Sequence, residues 1–266
     1  MRTREAGLGW ANFLLEVGNG TANDKEGRIQ ILKEFRCQRS IVTEIFGETI
    51  DPNDTNLCER ATLPPMNLNV RQLNNEAFER LCTFCQQDER VYKSVDEAVY
   101  YEGSWDELYP VEYLNTLEPT GMPPHELRLK KGAIVMLLRN LDVVNGLCNG
   151  TRLRVETFGR YVLGCRFVCG SRKNQLAVIP RIDNYWEKQL PFQLRRRQFP
   201  LRLAFAMTIN KAQRQSFNEV GVYLPEDVFS HGQLYVAFSR ARTPAGLKVG
   251  TLHGSVKNIV YNEVLL

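Results

Sequence analysis

Apolar and polar positions along the chain follow several rhythms, each predicting a different element. Residues 8–17, LGWANFLLEV, place Leu8, Trp10, Phe13, Leu14 and Val17 near one face of a helix. The polar stretch GNGTANDKEG that follows reads as a loop. A helical rhythm continues through residues 29–50 around Phe35, Ile41, Ile45 and Phe46, and DPNDTN breaks it. ATLPPMN predicts a short strand that runs into a loop. Asn67 stands where it can cap a helix over residues 68–82, in which Val70, Leu73, Ala77 and Leu81 recur at spacings of three and four.

The pattern changes at EPTGMPPHEL (118–127), whose prolines and glycine exclude a helix. Short strand-like runs follow: AIVMLLRNL, TRLRVETF, RYVLGCRFV and QLAVIP. Asn145-Gly146, Asn149-Gly150 and Gly170-Ser171 mark turns among them. Short strands this close together predict a small β-barrel or curled sheet inserted between flanking α/β segments. Residues 199–252 alternate strand and helix and are expected on a parallel sheet. The fold class is therefore α/β, a parallel sheet with helices carrying an inserted small β-barrel.

A chain of 266 residues holds one large or two modest domains. No apolar run approaches the ~20 residues of a membrane span, and MRTREAGLGW lacks a secretory apolar segment, so an intracellular protein with no membrane partner is expected. Seven cysteines, an odd count, fit a reducing compartment. Charge is unevenly distributed. Residues 1–126 carry 12 Lys and Arg against 22 Asp and Glu, net −10, and residues 127–266 carry 22 against 8, net +14. A basic second half suits a polyanion; equally, the two halves can attract each other. Between Lys188 and Asn218 stand seven basic residues and no acid, interleaved with Phe192, Phe199, Phe205 and Phe217. Such a stretch can neutralise phosphates and stack bases, although Phe199 and Phe205 read as strand core.

The candidate chemistry starts from an absence. No Gly-Lys dipeptide occurs, so there is no phosphate-cradling G-x-x-x-x-G-K-[ST] loop, and no G-x-G-x-x-G opens a helix. What is present lies in LRLAFAMTINKAQRQS and HGQLYVAFSRAR. The first places Thr208, Asn210, Lys211 and Gln213 just past an alternating strand, where α/β sheets hold anions, or where a helix is simply capped. The second, if helical, sends Leu234, Val236, Ala237 and Phe238 inward and sets Arg240 at the helix end. A half-buried arginine needs an anionic partner: a structural carboxylate, or a phosphate bound elsewhere. Cys82-x-x-Cys85 and Cys165-x-x-x-Cys169 lack the turns of a zinc knuckle and read as free thiols, so no metal site is expected. The three histidines are scattered.

These stretches resemble a known family. FPLRLAFAMTINKAQRQS and GQLYVAFSRAR are similar to helicase motifs V and VI of the PIF-type superfamily 1 DNA helicases, including those of Helitron transposons. Residues 109–155 resemble the family's inserted barrel, and WANFLLEVGNGT and ERATLPPMNLNVRQLNNEAF also look like family segments. The resemblance implies a RecA-like second motor domain working with ATP and Mg2+ on single-stranded DNA, in the nucleus or the mitochondrion. It implies the tail of a first motor domain and a linker over 1–57, the start of the second motor domain over 58–108, the insert over 109–198, and the remainder over 199–266. It makes Arg240 the catalytic arginine at the γ-phosphate and sets Arg2 and Gln215 beside the nucleotide. Thr208, Asn210 and Lys211 would lie on the DNA track, with the basic residues Arg195, Arg196, Arg197, Lys130 and Lys131 as further nucleic-acid contacts. The parts that grip the phosphates would come from the first motor domain, which this sequence lacks, so the chain alone is expected not to hydrolyse ATP. A single-strand-binding module or a decayed transposon fragment is the alternative. Where the family reads Gln-Gly-Gln, this chain has Gln213-Arg214-Gln215, and Arg214 stands where a glycine would allow close backbone approach.

Overall fold

A computed structural model describes residues 7–84, 88–100, 109–188, 190–261 and 263. The chain divides into two compact units: one takes the chain up to Cys82 and again from Phe205 onward, the other runs from Thr83 to Ala204. In chain order the first unit opens with α1 (Gly7–Asn19), β1 (Arg28–Gln30), α2 (Ile41–Phe46), β2 (Arg60–Leu63) and α3 (Asn67–Arg80). The second unit carries β3 (Glu89–Lys93), β4 (Val95–Val99), α4 (Val111–Thr116), β5 (Glu126–Lys130), β6 (Ile134–Leu137) and β7 (Arg152–Phe158). It continues with β8 (Val162–Phe167), β9 (Leu176–Pro180), β10 (Ile182–Trp186), β11 (Gln193–Gln198) and β12 (Leu201–Leu203). The chain then returns to the first unit as β13 (Glu219–Leu224), α5 (Gln233–Phe238), β14 (Leu247–Thr251) and β15 (Ser255–Lys257).

The first unit is built on a parallel sheet in the order β14-β13-β2. Residues 205–207 extend it on the far side of β2: Thr62 N donates to Phe205 O at 2.9 Å and Met207 N donates to Thr62 O at 3.1 Å. Helix α2 lies against β13 at Gly221, where an added Cβ would meet Ile41 and Ile45 at 2.7 Å. Only a residue without a side chain permits that approach. Trp10, Leu14 and Val17 are the buried face of α1, and Phe13 stacks on Phe238 of α5 at 6.3 Å. Leu8, expected on that face, is exposed.

The helical rhythm over 29–50 resolves into three short pieces: β1, a 3-10 turn at Lys33–Phe35, and α2. Local groups impose the breaks. The Ser40 hydroxyl accepts from Thr43 N and caps α2, and Gly47 ends it at φ 87°. Helix α3 forms where the spacing predicts it and buries Val70, Leu73 and Ala77, but its cap residue is Met66, and Asn67 is already helical. The run LRLAFAM does not make one strand. Leu201–Leu203 pair antiparallel with β6 in the second unit, whereas 205–207 join the parallel sheet of the first.

The second unit consists of antiparallel sheets. Five strands pair in the order β12-β6-β7-β8-β9, three in the order β10-β11-β4, and β3 pairs with β5. β12 and β9 are the edges of the five-stranded sheet, so its pairing is that of an open sheet, where the sequence predicts a small barrel or curled sheet. β6 is buried along its whole length, which matches its unbroken apolar run. A separate core of Leu114, Met122, Phe192 and Leu194 lies beneath α4 and the three-stranded sheet.

Candidate nucleotide-facing site and nucleic-acid interface

In the first unit the residues after 207 form a turn rather than the expected α-helix. Ile209–Ala212 make one 3-10 turn in which Lys211 N and Ala212 N both donate to Thr208 O. Ile209 and Ala212 are buried, and Asn210 and Lys211 are exposed on the outside. The turn is anchored from below. Asn74, buried on α3, donates to Val70 O and Ala206 O at 2.9 Å each and accepts from Ala206 N at 2.9 Å. One side-chain amide thus pairs with the backbone just before the turn as a neighbouring strand would. Sequence reading missed Asn74; a polar residue at the buried spacing Val70, Leu73, Asn74, Ala77 was the available signal.

Arg240 lies two residues past the end of α5, in which Leu234, Ala237 and Phe238 are buried and Val236 is half-buried. Its guanidinium reaches the turn. Nε donates to Val236 O at 2.9 Å, Nη1 to Gln215 O at 2.9 Å and Ala212 O at 3.4 Å, and Nη2 to the Ser239 hydroxyl at 2.9 Å. The backbone repeats the connection: Phe217 N donates to Arg240 O and Arg242 N to Phe217 O. Thr208, Asn210, Lys211, Gln215 and Arg240 therefore belong to one hydrogen-bonded assembly.

Arg214 sits in the chain between Ala212 and Gln215, two of the three residues whose carbonyls hold Arg240, and its φ is 67°. That left-handed conformation costs an L residue roughly 1–2 kcal/mol and costs glycine almost nothing. The turn thus keeps the shape of a glycine turn with an arginine installed in it. Arg2 lies outside the described residues.

The basic residues of the second unit are mostly turned inward or paired. On β11 the arginines alternate in and out. Arg196 has no exposed surface: it forms a two-pronged ion pair with Asp96 on β4, Nη2 to Oδ2 at 2.5 Å, and donates to the carbonyls of Leu114, Leu117 and Pro123. It caps the end of α4 and cannot meet a nucleic acid, which corrects its expected role. Lys130, 6% exposed, is likewise withdrawn. Arg195 pairs with Glu97, and Arg197 approaches Asp183 at 3.9 Å with most of its side chain exposed. Lys131 is exposed. Phe192, Phe199, Phe205 and Phe217 are all buried and offer no stacking surface.

Cys37, Cys58, Cys82, Cys148, Cys165 and Cys169 are free thiols, and burial pushes Cys165 up to about 12. Cys85 lies outside the described residues. Among the described residues no group of three or more His, Cys, Asp or Glu is disposed to hold a metal ion, and no helix is long and apolar enough to cross a membrane.

A parallel sheet that is interrupted by an antiparallel insert, resumes beside its own second strand and is followed by a helix leading to Arg240 has the architecture of a RecA-like α/β fold. The comparisons narrow the class. Residues 112–158 match the family model described as DNA helicase Pif1, 2B domain. The chain is 46% identical over 258 residues to the ATP-dependent DNA helicase Pif1 of Campylobacter jejuni, covering 92% of this chain and 51% of that one. It is 35% identical over 179 residues to the ATP-dependent DNA helicase PIF1 of Xenopus laevis, covering 64% and 27% respectively. The fold matches the crystal structure of Pif1 helicase from Bacteroides in complex with ADP-AlF3 and ssDNA, with TM-score 0.61, 22% identity and coverage of 98% of this chain and 52% of that one. The chain is a relative of the Pif1-type DNA helicases, and it spans about a quarter to a half of the length of these two curated relatives.

Proposed function

We propose that this chain supplies the second motor domain and its insert to a 5′-to-3′ ATP-dependent DNA helicase, in which ATP hydrolysis drives movement along single-stranded DNA. One observation carries the reading: Arg240 Nη1 donates to Gln215 O at 2.9 Å. In this reading a phosphate that draws Arg240 also pulls on the turn bearing Thr208, Asn210 and Lys211. The nucleotide side and the DNA side then share one mechanical part. A phosphate opposes the guanidinium with a full charge where a carbonyl offers only a dipole, so the exchange of partners is favourable when nucleotide arrives.

ATP and Mg2+ fit this assembly only along the outer phosphate edge, at Arg240 and Gln215. The backbone cradle for the remaining phosphates is absent from the sequence. A second domain therefore has to grip the nucleotide, and the chemistry that ATP supplies is phosphoryl transfer to water across that interface. Residues 1–57 would be the tail of that domain and a linker. A non-enzymatic single-strand-binding module is the second reading, and the lack of a phosphate-cradling G-x-x-x-x-G-K-[ST] loop in the sequence favours it.

Turnover of ATP and binding of oligothymidylate by the purified chain test the proposal. We expect turnover well below ~1 s⁻¹ with single-stranded DNA present, and an affinity for the strand that falls steeply between low and high salt. Turnover at an ordinary enzyme rate, or no affinity for single strands, would contradict it.

A further inference from the structure

Several cations of the second unit lie around Arg181. Arg181, between β9 and β10, joins three elements: its N–H donates to Tyr161 O at 2.9 Å, its Nε to Arg197 O at 3.3 Å, and its Nη2 to Lys93 O. The register agrees with these contacts. Asp183, Arg197 and Val95 form one row across β10, β11 and β4, and Tyr185, Arg195 and Glu97 form the next. Alternation sends both rows to the face opposite buried Arg196. The Arg160 guanidinium lies over the Tyr161 ring at 5.2 Å, and Tyr161 as a residue is 59% exposed. Burial first, and then the nearby charge of Arg197, hold Arg181 below the ordinary arginine range. Two guanidiniums that crowd each other are relieved by an anion between them. Asp183, 3.9 Å from Arg197, is a loose counterion.

Cations set along a surface suit a phosphate backbone, and an exposed tyrosine beside them suits an unpaired base. A duplex has its bases stacked already and gains nothing from the ring. We propose that Lys93, Arg160, Arg181 and Arg197, with Tyr161 as the stacking platform, form a single-strand-binding site on the second unit, additional to the Thr208–Lys211 turn. The site rests on the reading that the chain binds single-stranded DNA.

The test is fluorescence anisotropy of labelled oligothymidylate, and of a duplex of equal length, with the whole chain across a salt series. Replacing Lys93, Arg160 and Arg197 together by Gln should weaken single-strand binding about tenfold at low salt and flatten the log–log salt slope by about 2. Tyr161→Leu should weaken single-strand binding about tenfold with the slope kept, and should leave duplex binding unchanged. Lys211→Gln serves as the parallel variant. If the wild-type chain fails to bind single strands, both the site and the function are overturned. If Lys211→Gln weakens binding while the triple variant and Tyr161→Leu do not, this site alone is overturned. Equal losses for strand and duplex on Tyr161→Leu would overturn the stacking role and leave a general polyanion patch. Should the triple variant lose its thermal transition, exposed Tyr161 still decides the matter.

Discussion

Two arginines are drawn inward, one in each unit, and they are held in different ways. Arg196 is enclosed with Asp96, charge against charge, with neither side chain exposed. Arg240 is gripped by the carbonyls of Val236, Gln215 and Ala212 and by the Ser239 hydroxyl. A carboxylate in a dry interior cannot be given up, because either partner left alone is a buried charge. A guanidinium–carbonyl bond contributes about 1.5–3 kcal/mol net and can be exchanged for a better acceptor. The first arrangement fixes a structure. The second can be displaced by a stronger acceptor.

Breaking Arg196 should therefore have the largest effect on folding. Asp96→Ala strands a buried guanidinium and is expected to cost about 3–5 kcal/mol, read as a lower urea midpoint for the second unit. Replacing both partners with apolar residues of similar volume should recover most of that loss. Asn74→Ala comes next. It removes the amide that pairs with Ala206 and leaves buried backbone groups unsatisfied, for about 2 kcal/mol, and it should also loosen hydrogen exchange in the 206–212 backbone. Arg214→Gly and Arg214→Ala both remove the side chain's interactions, so their difference isolates the left-handed strain: the glycine variant should be the more stable by about 1 kcal/mol. Equal midpoints for the two variants would contradict the strain. The smallest effect belongs to Arg195→Ala, whose partner Glu97 stands in solvent. Its midpoint should match that of the wild-type chain, as exposed pairs ordinarily do.

The same contrast explains what could be read from the sequence. Helix α3, the strand β2 and the parallel pair β13-β14 were legible because their apolar spacing is undisturbed. The sheet β10-β11-β4 was not, because its inward positions include Asp96, Asn184 and Arg196, so alternation of apolar and polar residues is lost. The basic run at 195–197 looked like a phosphate track, yet each arginine has an acid on a flanking strand that only the register brings near it. Charge segregation along the chain thus serves partly as internal attraction. Arg128 with Glu89 and Arg242 with Glu59 likewise join bases of the basic half to acids of the acidic half. Motif V was legible as residues but not as shape. A helix was expected, and a 3-10 turn closed by a left-handed arginine is what forms, because Asn74 and Arg240 pin the backbone at both ends. The Arg240 contact has no local sequence signal, and the Asn74 contact leaves only a polar residue at a buried helical spacing.

The most direct measurement is ATP turnover, stimulated by single-stranded DNA, of this chain joined to a phosphate-loop motor domain, with Arg240 intact and as Arg240→Ala. The account expects a loss of about 10³-fold, with single-strand affinity in the absence of nucleotide nearly unchanged. Undiminished turnover would contradict it and would leave Arg240 as a staple of the fold alone.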